Sequence, residues 1–357
     1  MRIDFMINSL VGGGAERVMV TLANGFIEHK HEVNLITFNK GNAYKTNSKV
    51  KRIDLHHGKI KNHSVRSLLN SFNYYRVTSN RPDILIAFIP SNNLIAILIG
   101  LFYGIKVIIS EHNNHLANPS FKSKWIRKLL YRFADTTTVL TSFDKPFFEN
   151  LGAKVVIMPN PINIPKTIKP FSERENTILV AGSLKRYQVK GFDVLLPIIA
   201  PILKSHPDWK LMIAGDGEPG LNILKKITAE LNLSNQVVFL GFISNIGEVM
   251  QNAKIFALPS QYEGLPMVLM EALSNGMACI AYDCVSGPGD LINDQENGLL
   301  IENQDKEALQ NGISTLIDDT NLMMKLSNNA IKGLTQYNLD NMIIRWEELI
   351  KNVLGKK

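Results

Sequence analysis

Short apolar runs alternate with amphipathic stretches along the whole chain. Ile3 to Ile7, Glu32 to Phe38 and Pro82 to Phe88 read as buried strands, with an amphipathic helix from about Ala15 to Lys30 between the first two. Strand and helix in alternation predict a parallel sheet covered by helices on both faces, with ligands gathering at the carboxyl ends of the strands. The apolar run from Leu94 to Ile109 is broken by Gly100, Gly104 and Lys106 and is shorter than a bilayer span, so it reads as helix, turn and strand. From Ser123 to Asp135, Lys124, Trp125, Arg127, Lys128, Tyr131 and Arg132 are set among Ile126, Leu129, Leu130 and Phe133. That is a basic amphipathic helix, whose apolar stripe either packs on its own sheet or lies on a membrane.

Val155 to Ile162 closes this first pattern, and a Pro- and Lys-bearing segment to Pro170 reads as a linker. A second alternating pattern follows. Its strands are Ile178 to Ala181, Trp209 to Ala214, Val237 to Leu240, Ile255 to Ser260, Ala278 to Tyr282 and Asn297 to Ile301. Its helices are Phe192 to Ser205 and Leu221 to Leu231, with further helices from Lys306 to the end. The class is therefore α/β, with no solenoid repeats or low-complexity tracts. A length of 357 residues suits two domains. We place them at 1–165 and 166–340, with a last helix over 341–357.

Hydrophobic content of 45% and charged content of 20% are those of a soluble globular protein. Cys279 and Cys284 are too few for a disulfide framework and stand apart from any histidine, so neither disulfides nor a metal site is expected. The first residues have too short an apolar core for a signal peptide, with Asp4 inside it, and a cytoplasmic location fits. The net charge of +7 is uneven: residues 1–165 hold 21 Lys+Arg against 10 Asp+Glu, +11, while residues 166–357 hold 18 against 22, −4. A basic half points to anionic lipid or a phosphorylated acceptor, with nucleic acid or an unpartnered basic surface as alternatives.

Three segments could carry chemistry. Glu263-Gly264-Leu265-Pro266-Met267-Val268-Leu269-Met270-Glu271 follows a strand and opens a helix near Pro266 or Met267, so Glu263 lies in the loop and Glu271 on the helix. The positive end of that helix suits a diphosphate. By itself the segment reads equally as a solvated loop glutamate and a helical glutamate among core residues. Gly12-Gly13-Gly14-Ala15-Glu16-Arg17 follows the first strand and permits close backbone approach, but Arg17 stands where a dinucleotide fold wants its third glycine. Gly182-Ser183-Leu184-Lys185-Arg186 through Lys190-Gly191 offers cations to a leaving diphosphate, or is a loop of exposed charges. His112, with His115 as its rival, lies in a polar loop after an expected strand. No Asp-x-Asp triplet occurs in the chain.

The segment from Glu263 to Glu271 resembles the glutamate, seven residues, glutamate motif of the retaining glycosyltransferases of family 4, which have the GT-B fold. The likeness runs from the Gly12 to Gly14 loop, common in N-terminal domains of that family, to the helix around Trp346. It implies two Rossmann-like, doubly wound domains with a cleft between them, an acceptor-binding one at 1–165 and a nucleotide-sugar-binding one at 166–340, and a C-terminal helix returning to the first. It also implies that Glu263 holds the donor sugar, that Gly264, Leu265, Pro266, Met267 and Val268 hold the nucleotide phosphates, and that Glu271 takes the ribose hydroxyls. Gly13, Gly14 and Gly182 would allow close approach, His112 would contact the donor sugar, and Lys190 would hold the phosphates. Ser183 departs from the family's arginine, and Arg186 is the expected substitute. Ser286-Gly287-Pro288-Gly289-Asp290 resembles the family's Gly-Pro turn beside the donor.

The function so implied is transfer of a hexose or N-acetylhexosamine from a UDP-sugar to a hydroxyl of a lipid-linked glycan, with retention, in cell-surface polysaccharide synthesis. UDP-sugar is a co-substrate, and neither a cofactor nor a metal is expected. The enzyme would work peripherally at the inner face of the plasma membrane, against an anionic surface. A nucleotide-sugar 2-epimerase of the same fold is the alternative enzyme. A basic nucleic-acid-binding module is the non-enzymatic one, and it lacks an aromatic-plus-basic motif.

Overall fold

The computed structural model describes residues 1–11, 13–41, 43–116 and 120–355. It divides the chain into two compact units, Met1–Pro161 with Tyr337–Lys357, and Ile162–Gln336. The divisions lie at 161/162 and 336/337, a few residues before the 165/166 and 340/341 read from the sequence.

In the first unit, β1 (Arg2–Ile7), β2 (Glu32–Thr37), β3 (Lys51–Asp54), β4 (Ile84–Phe88), β5 (Lys106–Ser110), β6 (Thr136–Val139) and β7 (Val155–Ile157) form one parallel sheet in the order β3-β2-β1-β4-β5-β6-β7. Phe5 on β1 lies beside Leu35 of β2 and Ile86 of β4, which leaves the apolar runs of all three strands in the interior. Helices α1 (Gly14–Glu28), α2 (His63–Arg76), α3 (Pro90–Tyr103), α4 (Phe121–Leu130) and α5 (Lys145–Asn150) make every connection except that from β2 to β3. One face, with Met6, Ile36, Leu85, Val107 and Ile109, packs against Tyr75, Ile95, Ile99 and Tyr131 from α2, α3 and the turn after α4. The 94–109 run does resolve into helix, left-handed turn at Gly104, and strand.

Two elements defeat the hydrophobic pattern. The three threonines of β6 carry little apolar signal, yet the strand is buried throughout, and Thr138 satisfies its hydroxyl on Ser110 Oγ at 2.8 Å. In α4, Arg127 is buried rather than part of a basic face: Nε and Nη2 fork onto Glu111 at 3.1 and 2.7 Å, and the Tyr131 hydroxyl donates to the same carboxylate. Arg127 is thereby withdrawn from the set of cations expected to meet a membrane. A buried arginine is tolerated only with such a partner, and the partner lies 16 residues away on another loop.

In the second unit, β8 (Glu175–Ala181), β9 (Lys210–Ala214), β10 (Val237–Gly241), β11 (Ala253–Leu258), β12 (Ala278–Asp283) and β13 (Leu299–Glu302) form a second parallel sheet in the order β10-β9-β8-β11-β12-β13. Helices α6 (Phe192–Ser205), α7 (Gly220–Glu230), α8 (Ile246–Asn252), α9 (Met267–Ser274), α10 (Pro288–Leu291), α11 (Lys306–Asp318) and α12 (Thr320–Asn329) belong with it. In both sheets the strand order reverses once, beside β1 and beside β8, the position where open parallel sheets take ligands.

The last helix, α13 (Leu339–Leu354), packs on α1 of the first unit. His29 Nδ1 and His31 Nε2 both meet Glu347 Oε1, at 3.2 and 2.8 Å, and Arg345 donates to the Ile157 carbonyl at 3.2 Å. Among the described residues no helix is long and apolar enough to cross a membrane.

Candidate active site

The second unit's switch point lies between β8 and β11, and the loops leaving these strands hold most of the expected site residues. After Ala181 the chain passes through Gly182 and a single 3-10 turn, Leu184–Arg186, and the Lys190 amide donates to the Arg186 carbonyl at 2.9 Å. Gly191 follows in the left-handed region at φ +68, and a Cβ there would lie 2.0 Å from the Pro259 carbonyl oxygen. Only glycine permits that approach of the β8 loop to the β11 loop. Lys190 then lays its aliphatic stem across Gly182, whose missing Cβ would stand 3.3 Å from three of its carbons. Its Nζ donates to Glu263 Oε1 at 2.6 Å. The two candidates expected to serve phosphate and sugar separately are therefore one ion pair, mostly withdrawn from solvent.

Beyond Glu263 the turn is braced from the loop after β12. Ser286 Oγ donates to the Gly264 carbonyl at 2.9 Å, and Gly287, at φ +98, has room for no Cβ against that carbonyl and Pro266. Leu265 is buried, and α9 opens after Pro266 without a side-chain cap. The amides of Met267 and Val268 lie in the first turn, where no carbonyl four residues earlier exists to accept them within the helix. Pro266 thus precedes the first helical residue rather than occupying it. Glu271, one turn along, is buried. The far end of α9 is gripped by Arg174, which donates to Gly276 and Asn275 carbonyls at 2.8 Å each and to the Lys169 carbonyl at 3.2 and 3.1 Å.

Arg186 is exposed, and its guanidinium stands 6.0 Å from the centre of the Tyr262 ring. Ser183 is exposed beside it. The sequence reading missed Tyr262, Arg174 and the bracing role of Ser286. Tyr262 had a local signal, since it precedes Glu263. Arg174 had none, because its carbonyl partners lie 101 and 102 residues downstream.

Gly13, Gly14 and His112 lie in the first unit, at the carboxyl ends of β1 and β5. Gly12 is outside the described residues. Gly13 caps α1 and its carbonyl accepts the Tyr44 hydroxyl at 3.0 Å, while a Cβ on Gly14 would meet nothing within 4 Å beyond its chain neighbours and its own helix backbone. His112 lies over Phe88, ring centres 4.0 Å apart, with Nε2 3.2 Å from Ser110 Oγ. Desolvation drives its imidazole down to about 3, against a hydrogen bond with Asn160, so it is neutral at physiological pH. His115 stacks with Phe143 and Phe147, ring centres 5.0 and 4.3 Å away, and its Nδ1 lies 2.8 Å from Asp144 Oδ1.

A family model described as glycosyl transferases group 1 matches residues 164–333, and one described as glycosyltransferase family 4 matches residues 12–165. An α-1,4-N-acetyl-D-galactosaminyltransferase of Campylobacter jejuni, whose name gives its acceptor as GalNAc-GalNAc-diNAcBac-PP-undecaprenol, is 32% identical over 99% of both chains. The amylovoran biosynthesis glycosyltransferase AmsD of Erwinia amylovora is 28% identical over 98% of both. Among solved structures, Anabaena Alr3699/HepE in complex with UDP and glucose superposes with a TM-score of 0.84 at 18% identity, over 99% of this chain and 100% of that one.

Proposed function

The chain belongs to glycosyltransferase family 4, with the GT-B fold, and from that premise we propose that it moves a hexose or N-acetylhexosamine from a UDP-sugar to a hydroxyl of a lipid-linked glycan, with retention, in polysaccharide synthesis. The observation that carries the reading is the Lys190–Glu263 pair, 2.6 Å apart, beside the uncapped start of α9. An ammonium and a helix N-terminus meet the charge that develops on a departing diphosphate, while the carboxylate accepts from sugar hydroxyls. The C1–phosphate bond breaks as the acceptor oxygen approaches on the same face, and the acceptor's proton passes to the leaving phosphate oxygen. Glu263 holds the sugar in this scheme and forms no bond to it. A neutral His112 serves as a hydrogen-bonding group, not a proton donor. Glu271 binds the ribose, and Lys190, Arg186 and α9 do the work that a divalent metal would do elsewhere.

The names of the relatives support the donor and acceptor classes: an N-acetylgalactosaminyl group and a diphospho-undecaprenol glycan in the Campylobacter protein. An acceptor on such a lipid supports the further reading that the enzyme works at an anionic membrane surface, on its cytoplasmic side. The test is a panel of UDP- and GDP-sugars with an undecaprenyl diphosphate-linked glycan, with the product's anomeric configuration read by NMR. We expect one UDP-sugar to be used, an α product, and turnover undiminished by EDTA. An inverted product, or strict dependence on magnesium or manganese, would overturn the mechanism. Conversion of a UDP-sugar to its C2 epimer without acceptor would replace transfer with epimerisation.

A further inference from the structure

The loop after β8 is pinned along both sides. On one side it meets the loop after β9: the Leu184 amide donates to the Asp216 carbonyl at 3.1 Å, and a Cβ on Gly215 or Gly220 would fall 1.9 Å from the carbonyl oxygen of Gly182 or Leu184 respectively. On the other it meets the loop after β11, where the Gln261 amide donates to the Val189 carbonyl at 2.9 Å. The backbone that carries Lys185, Arg186 and Lys190 is therefore fixed, and only the reach of each side chain is left open. Lys190 is committed by its ion pair with Glu263. Lys185 runs its stem past Gly217 of the β9 loop, where a Cβ would lie 2.4 Å from its Cγ. Arg186 is exposed, makes no ion pair among the described residues, and stands over the Tyr262 ring with its guanidinium 6.0 Å from the ring centre.

The Lys190–Glu263 pair carries no net charge, so the uncompensated positive charge on the β11 side of the loop is that of Arg186. An exposed arginine samples many rotamers, and each one that points to bulk water takes that charge out of the site. An aromatic face within about 6 Å attracts a guanidinium and favours the rotamers that keep it there. Tyr262 is itself held in place, since its neighbours are Gln261, bonded to Val189, and Glu263, bonded to Lys190. We propose that Tyr262 is a positioning residue: its ring keeps the Arg186 guanidinium on the side where Lys190 meets Glu263, in reach of the second phosphate of a nucleoside diphosphate. The proposal rests on the reading that this site takes a UDP-sugar. It goes further in naming what holds the free cation of the site in place.

Binding of UDP and of UMP to the full-length protein, measured by calorimetry, isolates the second phosphate. Arg186→Ala should weaken UDP roughly tenfold or more, as for loss of a charge-assisted contact, and leave UMP nearly unchanged. Tyr262→Leu should weaken UDP roughly fivefold, in the range of an exposed cation–π contact, and also spare UMP. Tyr262→Phe keeps the ring face and should stay within about twofold of wild type. In the Arg186→Ala background Tyr262→Leu should cost nothing further, a coupling that a merely structural tyrosine would not show. Equal losses of UDP and UMP in Tyr262→Leu would make the ring a surface for the base, and a full further loss in the Arg186→Ala background would make it a support for Glu263. Either result overturns the proposal, as would wild-type UDP affinity in Tyr262→Leu. The coupling in a protein that transfers no sugar would sink the proposed reaction and leave the positioning standing, while sugar transfer by Tyr262→Leu at the wild-type rate and UDP affinity would do the reverse.

Discussion

Lys190 and Glu263 belong to different loops but act as one unit, so the loss of either is felt by both. Lys190→Ala removes the ammonium and leaves a mostly buried carboxylate without its 2.6 Å partner. We expect turnover to fall roughly 100-fold, as for loss of one donor to a developing oxyanion, with a smaller change in donor affinity. Steady-state kinetics against UDP-sugar separate the two, and a variant that altered KM alone would show that Lys190 only binds. Glu271→Ala should weaken UDP by about 1.5–3 kcal/mol, the value of charge-assisted hydrogen bonds from one carboxylate to two ribose hydroxyls. Calorimetric titration reads this directly. An unchanged dissociation constant in a folded variant would remove Glu271 from the nucleotide site.

A helix of eight residues such as α9 has little stability of its own, and it is held from outside at both ends. Ser286 and Gly287 brace its entry, and Arg174 holds the carbonyls at its exit, where a cation also complements the helix dipole. Arg174→Ala should cost roughly 2–3 kcal/mol of stability by denaturant titration and raise KM for the donor, although Arg174 lies at the opposite end of α9 from the amides of Met267 and Val268. Stability lost with KM unchanged would make the clamp purely structural. The docking of α13 is a second case. Desolvation works against ionised Glu347, but hydrogen bonds from His31 and His29 outweigh it and hold the carboxyl below its ordinary 4.5. A depressed carboxyl stabilises the fold above its unfolded value and ceases to as pH falls through the folded one. The stability gap between wild type and Glu347→Gln should therefore be present above pH 4.5 and close as pH falls below that ordinary value through the depressed one. A gap that persisted in acid would point to packing rather than charge.

At the scale of the molecule the charge asymmetry follows the two units. The first carries 25 Lys+Arg against 13 Asp+Glu, +12, and the second 14 against 19, −5. Each basic residue near an anionic bilayer contributes about 1 kcal/mol, so a few of them suffice for reversible attachment at low salt. Lys124, Lys128 and Arg132 are exposed, and their joint replacement by glutamine should weaken sedimentation with anionic vesicles at low salt. Arg127→Gln should act differently, because it strands buried Glu111: the melting temperature should fall while vesicle binding of the folded protein is kept. Equal binding of the triple glutamine variant and wild type would show that these cations do not meet the membrane.

The apolar periodicity alone determined most of the architecture. Alternation of short buried runs with amphipathic stretches placed β1, β2, β4 and β5 and nearly every element from β8 to β13, because burial on both faces writes a strand into local composition. The strand-to-helix segments at Gly182–Lys190 and Glu263–Glu271 were legible for the same reason, since glycine and proline mark such turns. What the sequence could not decide were partnerships. Whether Arg127 faced lipid or Glu111, whether Lys190 met Glu263, and what held the end of α9 depend on atoms 16, 73 and about 100 residues apart. The same holds for the three threonines of β6, buried by their neighbours rather than by any hydrophobicity of their own. An ionised or hydroxyl-bearing side chain can be buried only where a partner is supplied, so its place is set by tertiary contact, whereas an apolar run favours the interior wherever it occurs.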